Sequence, residues 1–195
     1  MENYIVTISR QFASMGRSIA QQMATNLDIE FYDRDLVEAT AKRMGQPIPL
    51  ISEEEEKSTS KYFRRAFPLG LNMQDEIFEV QKNIIEDISK KESCIIVGRC
   101  GNSILKDAKN AIHIFVFAPY ETRVENCINY LKMNKQQAKN MIVKVDKARE
   151  IYRRRYSQGV SSPLDGYDLL VDSSKLGIGK TASMLSNLVK DLYIN

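Results

Sequence analysis

The residues best suited to chemistry stand near the start of this sequence, where Gly16-Arg17-Ser18 follows an apolar run and a polar loop. The run, Tyr4–Ile8, is rich in β-branched residues and predicts a buried strand. After Ser18, apolar residues recur at helical spacing as far as Leu27. This layout is typical of a phosphate-binding loop, because backbone N–H groups and a helix N-terminus face the anion while a cation reaches the outer phosphates.

The match to the full phosphate-loop pattern is partial. Laying G-x-x-x-x-G-K-S/T on residues 11–18 puts Gln11 in place of the first glycine and Arg17 in place of the lysine. Gly16 and Ser18 fit, and a plain strand-turn-helix explains the same residues. We take the stretch as the site for ATP phosphates, with the Ser18 hydroxyl on Mg²⁺. The predicted ATP phosphate-binding residues are Ser14, Met15, Gly16, Arg17, Ser18 and Ile19.

Length and composition predict one globular domain, residues 1–195, with a well-buried core. The content of 43% hydrophobic and 27% charged residues is ordinary, and a net charge of +3 does not indicate nucleic acid as a partner. No apolar run approaches the roughly 20 residues that span a bilayer. The N-terminus does not resemble a signal peptide. We therefore expect a cytoplasmic protein without a membrane partner, and reduced thiols at Cys94, Cys100 and Cys127.

Short apolar strands alternate with helices along the chain, which predicts a parallel sheet covered by helices on both sides. The predicted strands are 4–8, 29–33, 94–97, 112–117 and 167–172. Helices are expected up to 27 and over 36–44, 72–91, 120–131, 135–156 and 179–193. The helix 135–156 is very basic. Residues 46–71 contain three prolines, the acidic run Glu53–Glu56 and the basic-aromatic Lys61–Arg65, and they indicate an inserted, mobile segment.

The polar residues of interest follow the first three predicted strands. They are Ser9–Ser18, Asp33–Asp35 and Gly98-Arg99. Because parallel sheets bind ligands outside the carboxyl ends of their strands, all three groups are expected at one edge.

This set suits phosphoryl transfer, which needs positive charge around the moving group and in-line geometry. Arg17 would contact β- and γ-phosphate oxygens as a planar fork, and Arg99 would reach the acceptor. Arg149 and one or two of Arg153–Arg155 would close over the phosphates. The predicted catalytic residues are Arg17, Arg149 and Arg153.

Simpler explanations compete at several positions. Arg17 is also consistent with a helix-surface residue, and some of Arg153–Arg155 with a solvated helix face. Asp33 and Asp35 would bind acceptor hydroxyls or base, support the metal through water, or cap a helix. Glu53–Glu56 are expected to be a solvated face, and His113 a satisfied core histidine.

Several segments together resemble the cytidylate kinases, and most of all the divergent cytidylate kinase-like branch. The resemblance begins with Ile8-Ser-Arg-Gln11 and Gly16-Arg17-Ser18, and continues with Phe31–Leu36. Val97-Gly-Arg99 with Asp107-Ala108 and Ile112–Phe115 is similar to a later family run. Asp146-Lys-Ala-Arg149 with Arg153, Ser162-Pro163-Leu164 and Tyr167–Asp172 resembles the lid and last strand. The resemblance covers nearly the whole chain.

The resemblance implies a three-layer P-loop fold with a five-stranded parallel sheet. It also implies a helical acceptor-binding segment, placed at 46–75, and a helical lid, placed at 132–160. The implied reaction moves the γ-phosphate of ATP to CMP or dCMP with Mg²⁺, so the expected partners are nucleotides; Asp33, Asp35 and Arg99 are the predicted acceptor-binding residues. Departures put the acceptor in question, since Cys100 replaces the acid after Gly-Arg and Glu38-Ala39 replaces a tyrosine-arginine pair.

Two other functions are compatible with the sequence. A nucleotide-binding regulatory protein without turnover would explain the missing loop lysine. Nucleic-acid binding through the basic helix is less favoured, because no set of base-stacking aromatic residues accompanies the arginines. The sequence leaves the oligomeric state open.

Overall fold

A five-stranded sheet, with all strands parallel, forms the centre of the fold. The computed structural model describes residues 3–33, 35–46, 70–157 and 164–194. In this part of the chain the strand order is β2-β3-β1-β4-β5. The strands are β1 (Ile5–Arg10), β2 (Glu30–Tyr32), β3 (Cys94–Val97), β4 (Ala111–Phe117) and β5 (Leu169–Asp172). The predicted sheet of five parallel strands is confirmed.

Helices connect the strands and cover the sheet on both sides. Those of the described residues are α1 (Gly16–Leu27), α2 (Asp35–Met44), α3 (Gly70–Lys91), α4 (Gly101–Ile104), α5 (Tyr120–Leu131), α6 (Lys135–Tyr156) and α7 (Gly177–Tyr193). The bounds predicted for α5 and α6 are confirmed. None of the helices in the described ranges is long and apolar enough to cross a membrane.

Both faces of the sheet are covered at its central strands β3, β1 and β4, which explains why these strands are largely apolar and do not alternate. On one face α1 and α7 pack on the sheet through Ile19, Met23 and Leu185, which are 0% exposed. On the other face Leu36 of α2 and Ile85 of α3 cover the sheet. Each such side chain contributes about 1.5–3 kcal/mol on burial. The two layers of helices hold the carboxyl edge of the sheet in a defined place.

Helices α5 and α6 form a smaller cluster beside the loop that follows β1. Its buried members are Val124, Cys127, Ala138 and Ile142, and Phe12 and Ala13 of the loop pack against them. The basic helix α6 starts at a capping box, in which Asn134 and Gln137 each accept a backbone N–H of the other. The predicted lid helix is thus packed directly on the phosphate loop.

A few boundaries differ from the expectations. β2 spans only three residues because it is an edge strand that pairs with β3 alone. β5 starts at Leu169 and not at Tyr167. Just before it, the Asp168 carboxylate accepts the N–H of His113, and the Asp168 N–H donates to the His113 carbonyl, so that Asp168 ends the strand pairing. Helix α4 is too short to produce a periodic apolar pattern. The acidic run 53–56 and the basic-aromatic 61–65 lie outside the described residues, as do residues 158–163 of the predicted lid region.

Candidate active site

The carboxyl ends of β2, β3 and β1 bring three polar segments to one edge of the sheet. These strands are parallel neighbours, so Asp33, Gly98-Arg99 and the loop after Arg10 follow strand ends that lie side by side. Ligands of open α/β sheets bind at this edge, where helix N-termini meet the strand ends. The common edge expected from the sequence is confirmed.

The loop between β1 and α1 turns with two residues in the left-handed region, Ala13 (φ 58°) and Met15 (φ 61°). Met15 precedes the helix and provides no side-chain cap. The N–H of Ile19 donates to the Met15 carbonyl, whereas the described residues offer no acceptor to the N–H groups of Gly16–Ser18. Three uncapped N–H groups at a helix N-terminus attract an anion.

Ser14 faces the protein interior and braces the loop. It is 0% exposed, and its hydroxyl lies 3.0 Å from the carbonyl oxygen of Gln11 and 3.1 Å from that of Val116. Its own carbonyl accepts the Ser173 hydroxyl at 2.7 Å, and its N–H donates to the Gln11 carbonyl at 3.4 Å. The Ser14 N–H is therefore used within the loop, whereas the N–H groups of Gly16–Ser18 have no acceptor among the described residues.

Gln11, which replaces the first glycine of the pattern, fastens the loop to the end of β4. Its N–H donates to the Val116 carbonyl at 3.0 Å, and its side-chain oxygen accepts the N–H of Ala118 at 3.2 Å. The backbone at Gln11 lies outside the left-handed region that favours glycine. The departure from the pattern at this position is compatible with a formed phosphate loop.

Helix α6 contacts this loop through two side chains one turn apart. The Asp146 carboxylate accepts the N–H of Phe12 at 2.7 Å and pairs with Arg123 of α5. Arg149 donates to the backbone carbonyl of Arg10 at 3.0 Å. Since positions three apart share a helix face, both side chains point toward the loop. Helix α6, the predicted lid helix, is therefore coupled to the backbone from which the phosphate loop starts.

Asp33 joins two arginines at the end of the sheet. The Nε of Arg17 donates to its carboxylate, and a terminal nitrogen of Arg10 lies 3.5 Å from it. The Asp33 side chain is only 9% exposed, while that of Arg17 is 54% exposed and its guanidinium lies 5.8 Å from the Phe31 ring centroid. With Nε held by Asp33, the terminal nitrogens of Arg17 remain for phosphate oxygens.

Four arginines from different segments act on one another here, and we call Arg10, Arg17, Arg99 and Arg149 the edge cluster. The pKa of Arg10 is lowered to about 9, mainly by burial and next by the charge of Arg149, with smaller contributions from Arg99 and Arg17. The carboxylate of Asp33 acts in the opposite direction and raises this pKa. Burial also lowers the pKa of Arg149, with Asp146 and Asp33 opposing. Positive charges held together in a desolvated place form a strong site for an anion.

Sequence reasoning did not single out Arg10, which the structure places beside Asp33 and the other arginines of the edge cluster. The available signal was its position as the last residue of an apolar strand, the same signal that singled out Arg99 after β3. Buried strands end in a base only when the side chain has an acceptor or a ligand to meet.

The predicted site residues that remain lie in the first turn of α2 and near the end of α6. Asp35 is exposed in the first turn of α2, where a negative charge suits the helix N-terminus. Arg154 pairs with Glu150, and Arg155 pairs with Asp75 of α3. Arg153 is half-buried, and its charge acts on Cys100 and Tyr167. A phosphate contact from Arg153 stays a prediction.

Mg²⁺ suits the oxygen atoms at this edge. The described residues contain no group of three or more His, Cys, Asp or Glu side chains that would form a protein cage for a metal. They do place the Ser18 hydroxyl, which has no hydrogen-bond partner among them, in the first turn of α1. Because Mg²⁺ in such sites takes one or two protein oxygens and completes its shell with phosphates and water, Ser18 with Asp33 fits it.

His113 and the cysteines have structural surroundings. His113 is 7% exposed, its Nδ1 lies 2.8 Å from the Thr7 hydroxyl, and burial lowers its pKa. The three cysteines are free and buried, and burial raises the pKa of the Cys100 thiol to about 11 and that of Cys94 to about 12. The predictions of a satisfied core histidine and reduced core thiols are confirmed.

Sheet order, helix layers and the loop at the start of α1 define the fold of the P-loop kinases. A Eubacterium ventriosum protein described as uncharacterized superposes with a TM-score of 0.73 at 24% identity, covering 96% of this chain and 99% of its own. Shikimate kinase from Acinetobacter baumannii, solved with shikimate, superposes with a TM-score of 0.53 at 13% identity, covering 99% and 96%. Shikimate kinase from Bacteroides thetaiotaomicron gives 0.55 at 9% identity, covering 97% of both chains. These similarities establish the fold.

The sequence itself matches the profile of the cytidylate kinase-like family over residues 5–175, and the chain belongs to that family. Membership in this kinase-like family supports ATP-dependent phosphoryl transfer as the class of reaction. A search of curated proteins finds no match.

Proposed function

We propose that this protein transfers the γ-phosphoryl group of ATP to a nucleoside monophosphate, with CMP and dCMP as first candidates and a related small acceptor as the wider class. One observation carries the proposal: the edge cluster lies beside the three uncapped N–H groups of Gly16–Ser18. Phosphoryl transfer requires a cradle for the donor phosphates and positive charge around the moving group, and this edge offers both.

In this proposal the donor lies on the phosphate loop. The N–H groups of Gly16–Ser18, with that of Met15, bind oxygens of the ATP phosphates. The terminal nitrogens of Arg17 contact β- and γ-phosphate oxygens, because its Nε is already held by Asp33. An arginine fork spreads its charge over two oxygens, where lysine would act as a point charge.

The acceptor lies on the β3 side of the edge. Arg99 binds its anionic group, and Asp33 and Asp35 are candidates for its hydroxyl or base contacts. Arg149 and Arg153 cover the moving phosphoryl group from α6. An acceptor oxygen forms a bond to the γ-phosphorus while the bond from that phosphorus to the β-phosphate oxygen breaks, and ADP leaves.

Mg²⁺ would be held by Ser18 directly and by Asp33 through water. When bound it neutralises charge on the β- and γ-phosphates. The residues of the chain then orient those phosphates, and the contact of α6 with the loop keeps water from the reacting oxygens.

The test is an acceptor panel. The protein is incubated with ATP and Mg²⁺ and, separately, with CMP, dCMP, UMP, AMP, GMP, shikimate and gluconate, and ADP release and phosphorylated product are both measured. We expect transfer to at least one pyrimidine monophosphate and loss of transfer when EDTA removes the metal. Binding of ATP with transfer to none of the acceptors would contradict the proposal.

A regulatory protein that binds nucleotide without turnover is the second candidate. It is favoured by the absence of a loop lysine and by the pairing of Arg17 with Asp33, which opposes full extension of the guanidinium toward a γ-phosphate. This candidate predicts calorimetric ATP binding with no ADP formed over hours. Measurable transfer to any acceptor would dismiss it.

A further inference from the structure

Arg10 occupies a slot that two glycines leave open. A Cβ added at Gly16 would lie 2.7 Å from the Arg10 Cβ, and one added at Gly98 would overlap a terminal nitrogen of its guanidinium. Gly98 also has φ +81°, a conformation that side chains rarely adopt. The glycines that start α1 and follow β3 therefore admit the Arg10 side chain into the edge of the sheet, beside the segment that carries Arg99.

Among the described residues, the charges that act on Arg10 are mostly positive. Its side chain is 18% exposed, and the carboxylate of Asp33, 3.5 Å away, is shared with Arg17. Asp33 attracts the Arg10 guanidinium, whereas those of Arg149, Arg99 and Arg17 repel it. A structural ion pair would place each buried cation opposite its own carboxylate, because an uncompensated buried charge is costly. The arrangement is that of a site that a further anion completes.

We propose that Arg10 binds the phosphate group of the acceptor and thereby selects phosphorylated acceptors over neutral or singly charged ones. This inference rests on the proposed function in so far as it assigns the β3 side of the edge to the acceptor. The Arg10 guanidinium adjoins Gly98, the residue before Arg99, so a phosphate bound by Arg10 would lie beside the predicted acceptor residue Arg99. Planar forks match phosphate oxygens bidentately, and two of them match a dianion better than a monocarboxylate.

A stability measurement separates this role from a structural one. Burial and the neighbouring arginines lower the pKa of Arg10 to about 9, which means that its protonated form is less favourable in the folded protein than in the unfolded chain. The charged side chain therefore destabilises the folded protein at pH 7, and its replacement by an apolar side chain of similar length is expected not to lower stability. If Arg10 had a structural role, its replacement would lower the stability of the folded protein.

The experiment uses inorganic phosphate as the probe, so that it does not depend on turnover. Phosphate binding to the protein saturated with ADP and Mg²⁺ is measured by calorimetry for the wild type, Arg10→Met and the matched control Arg154→Met. We expect phosphate binding at least tenfold weaker in Arg10→Met, ADP affinity within twofold of the wild type, and no change in the control. Thermal unfolding without anions is expected at the same or a higher temperature in Arg10→Met, and phosphate is expected to raise that temperature only when Arg10 is present.

Unchanged phosphate binding in Arg10→Met, an equal loss of ADP affinity, or a lower unfolding temperature without anions would each overturn the assignment. If Arg10→Met does not fold, Arg10→Lys is used in its place. Phosphate binding by Arg10→Lys equal to that of the wild type would contradict a role for the arginine fork at this position. Phosphate binding through Arg10 without transfer to any nucleotide would refute the proposed kinase activity but leave Arg10 as a phosphate-binding residue. Phosphoryl transfer by Arg10→Met with an unchanged KM for the acceptor would support the kinase activity and refute the role of Arg10.

Discussion

Two groups of arginines show opposite surroundings in this molecule, although the sequence presents both as basic residues beside helices. The edge cluster is drawn from β1, α1, the segment after β3 and α6, and its members Arg10 and Arg149 have lowered pKa values. Arg154 and Arg155, near the end of α6, are paired with carboxylates, and the pairing with Asp75 raises the pKa of Arg155. In the first group, Arg10 and Arg17 share the carboxylate of Asp33, whereas in the second group each arginine has a carboxylate of its own.

A single helix contains both situations. Arg149 faces the phosphate loop, whereas Arg155, less than two turns later, faces α3, where Tyr156 stacks on Phe78 with ring centroids 4.1 Å apart. Helix α6 therefore joins the phosphate loop to the helix that follows the predicted acceptor segment. The difference teaches that the number of arginines says little about a site, and that their remaining charge says more.

The largest effect is expected at Arg17. Arg17→Ala removes the cation aimed at the donor phosphates, and transfer should fall by about 100-fold or more in kcat. Arg17→Lys keeps a point charge and should retain part of the rate. Steady-state assays with the best acceptor measure both variants. Full activity of Arg17→Ala would show that the N-terminal loop does not bind the donor as proposed.

Arg149→Ala is expected to have the next largest effect. It removes a charge of the edge cluster and the bond to the Arg10 carbonyl, so kcat/KM should fall by about 10- to 100-fold. Arg154→Gln, on the same helix but paired with Glu150 on the surface, is the matched control and should keep its activity within twofold. An equal loss of kcat/KM in Arg149→Ala and Arg154→Gln would show that the edge cluster and the paired surface arginines do not differ in function.

Asp146→Asn tests the support of the loop. The change leaves the guanidinium of Arg123, whose side chain is 8% exposed, without its carboxylate. We expect a loss of about 2 kcal/mol in the free energy of unfolding, since the mostly buried Arg123 guanidinium loses its compensating negative charge and its hydrogen bond is no longer to a charged acceptor. Urea unfolding followed by circular dichroism measures it. Stability equal to the wild type would mean that the Arg123–Asp146 pair does not hold the loop.

The smallest effect is expected at the exposed pair of Asp75 and Arg155. Asp75→Asn should lower the free energy of unfolding at pH 7 by about 0.5 kcal/mol, as is usual for a surface pair. Hydrogen bonding from Arg155 lowers the pKa of Asp75 below its usual 3.8, so this contribution is present above that pH and is lost as the pH falls through the lower, folded value. Unfolding titrations of both proteins at pH 7 and pH 2.5 should show a smaller difference at pH 2.5 than at pH 7. A difference of the same size at pH 2.5 would point to packing and not to charge.

Much of the fold was predictable because its signals are local. Continuous apolar strands and amphipathic helices gave the order of elements, and the predicted bounds of α5 and α6 agree with the structure, in which Pro119 and Asn134 precede the two helices. The short helix α4 and the early stop of β2 were not predictable, since their limits depend on neighbours far away in the chain.

The candidate site was predictable in position more than in detail. Strand ends marked Arg99 and Asp33, because topology alone brings such ends together. The inward turn of Ser14 and the bracing by Gln11 depend on Val116 and Ala118 of β4, which no local pattern connects to the loop. Arg10 was missed for the same reason, because its importance comes from Gly98 and from the charges around it.

The sequence by itself determined the class of this protein. Periodicity and spacing specify a parallel sheet with its polar residues at one edge, since hydrophobic burial depends on residue type and order alone. The tertiary structure decided which arginines keep an unbalanced charge. An ion pair depends on which carboxylate the fold places beside an arginine, and Asp75 and Arg155 pair although they are 80 positions apart in the sequence. The carboxylate of Asp33 is shared instead by Arg10 and Arg17, and in the proposed function that sharing leaves positive charge for a ligand at the phosphate loop.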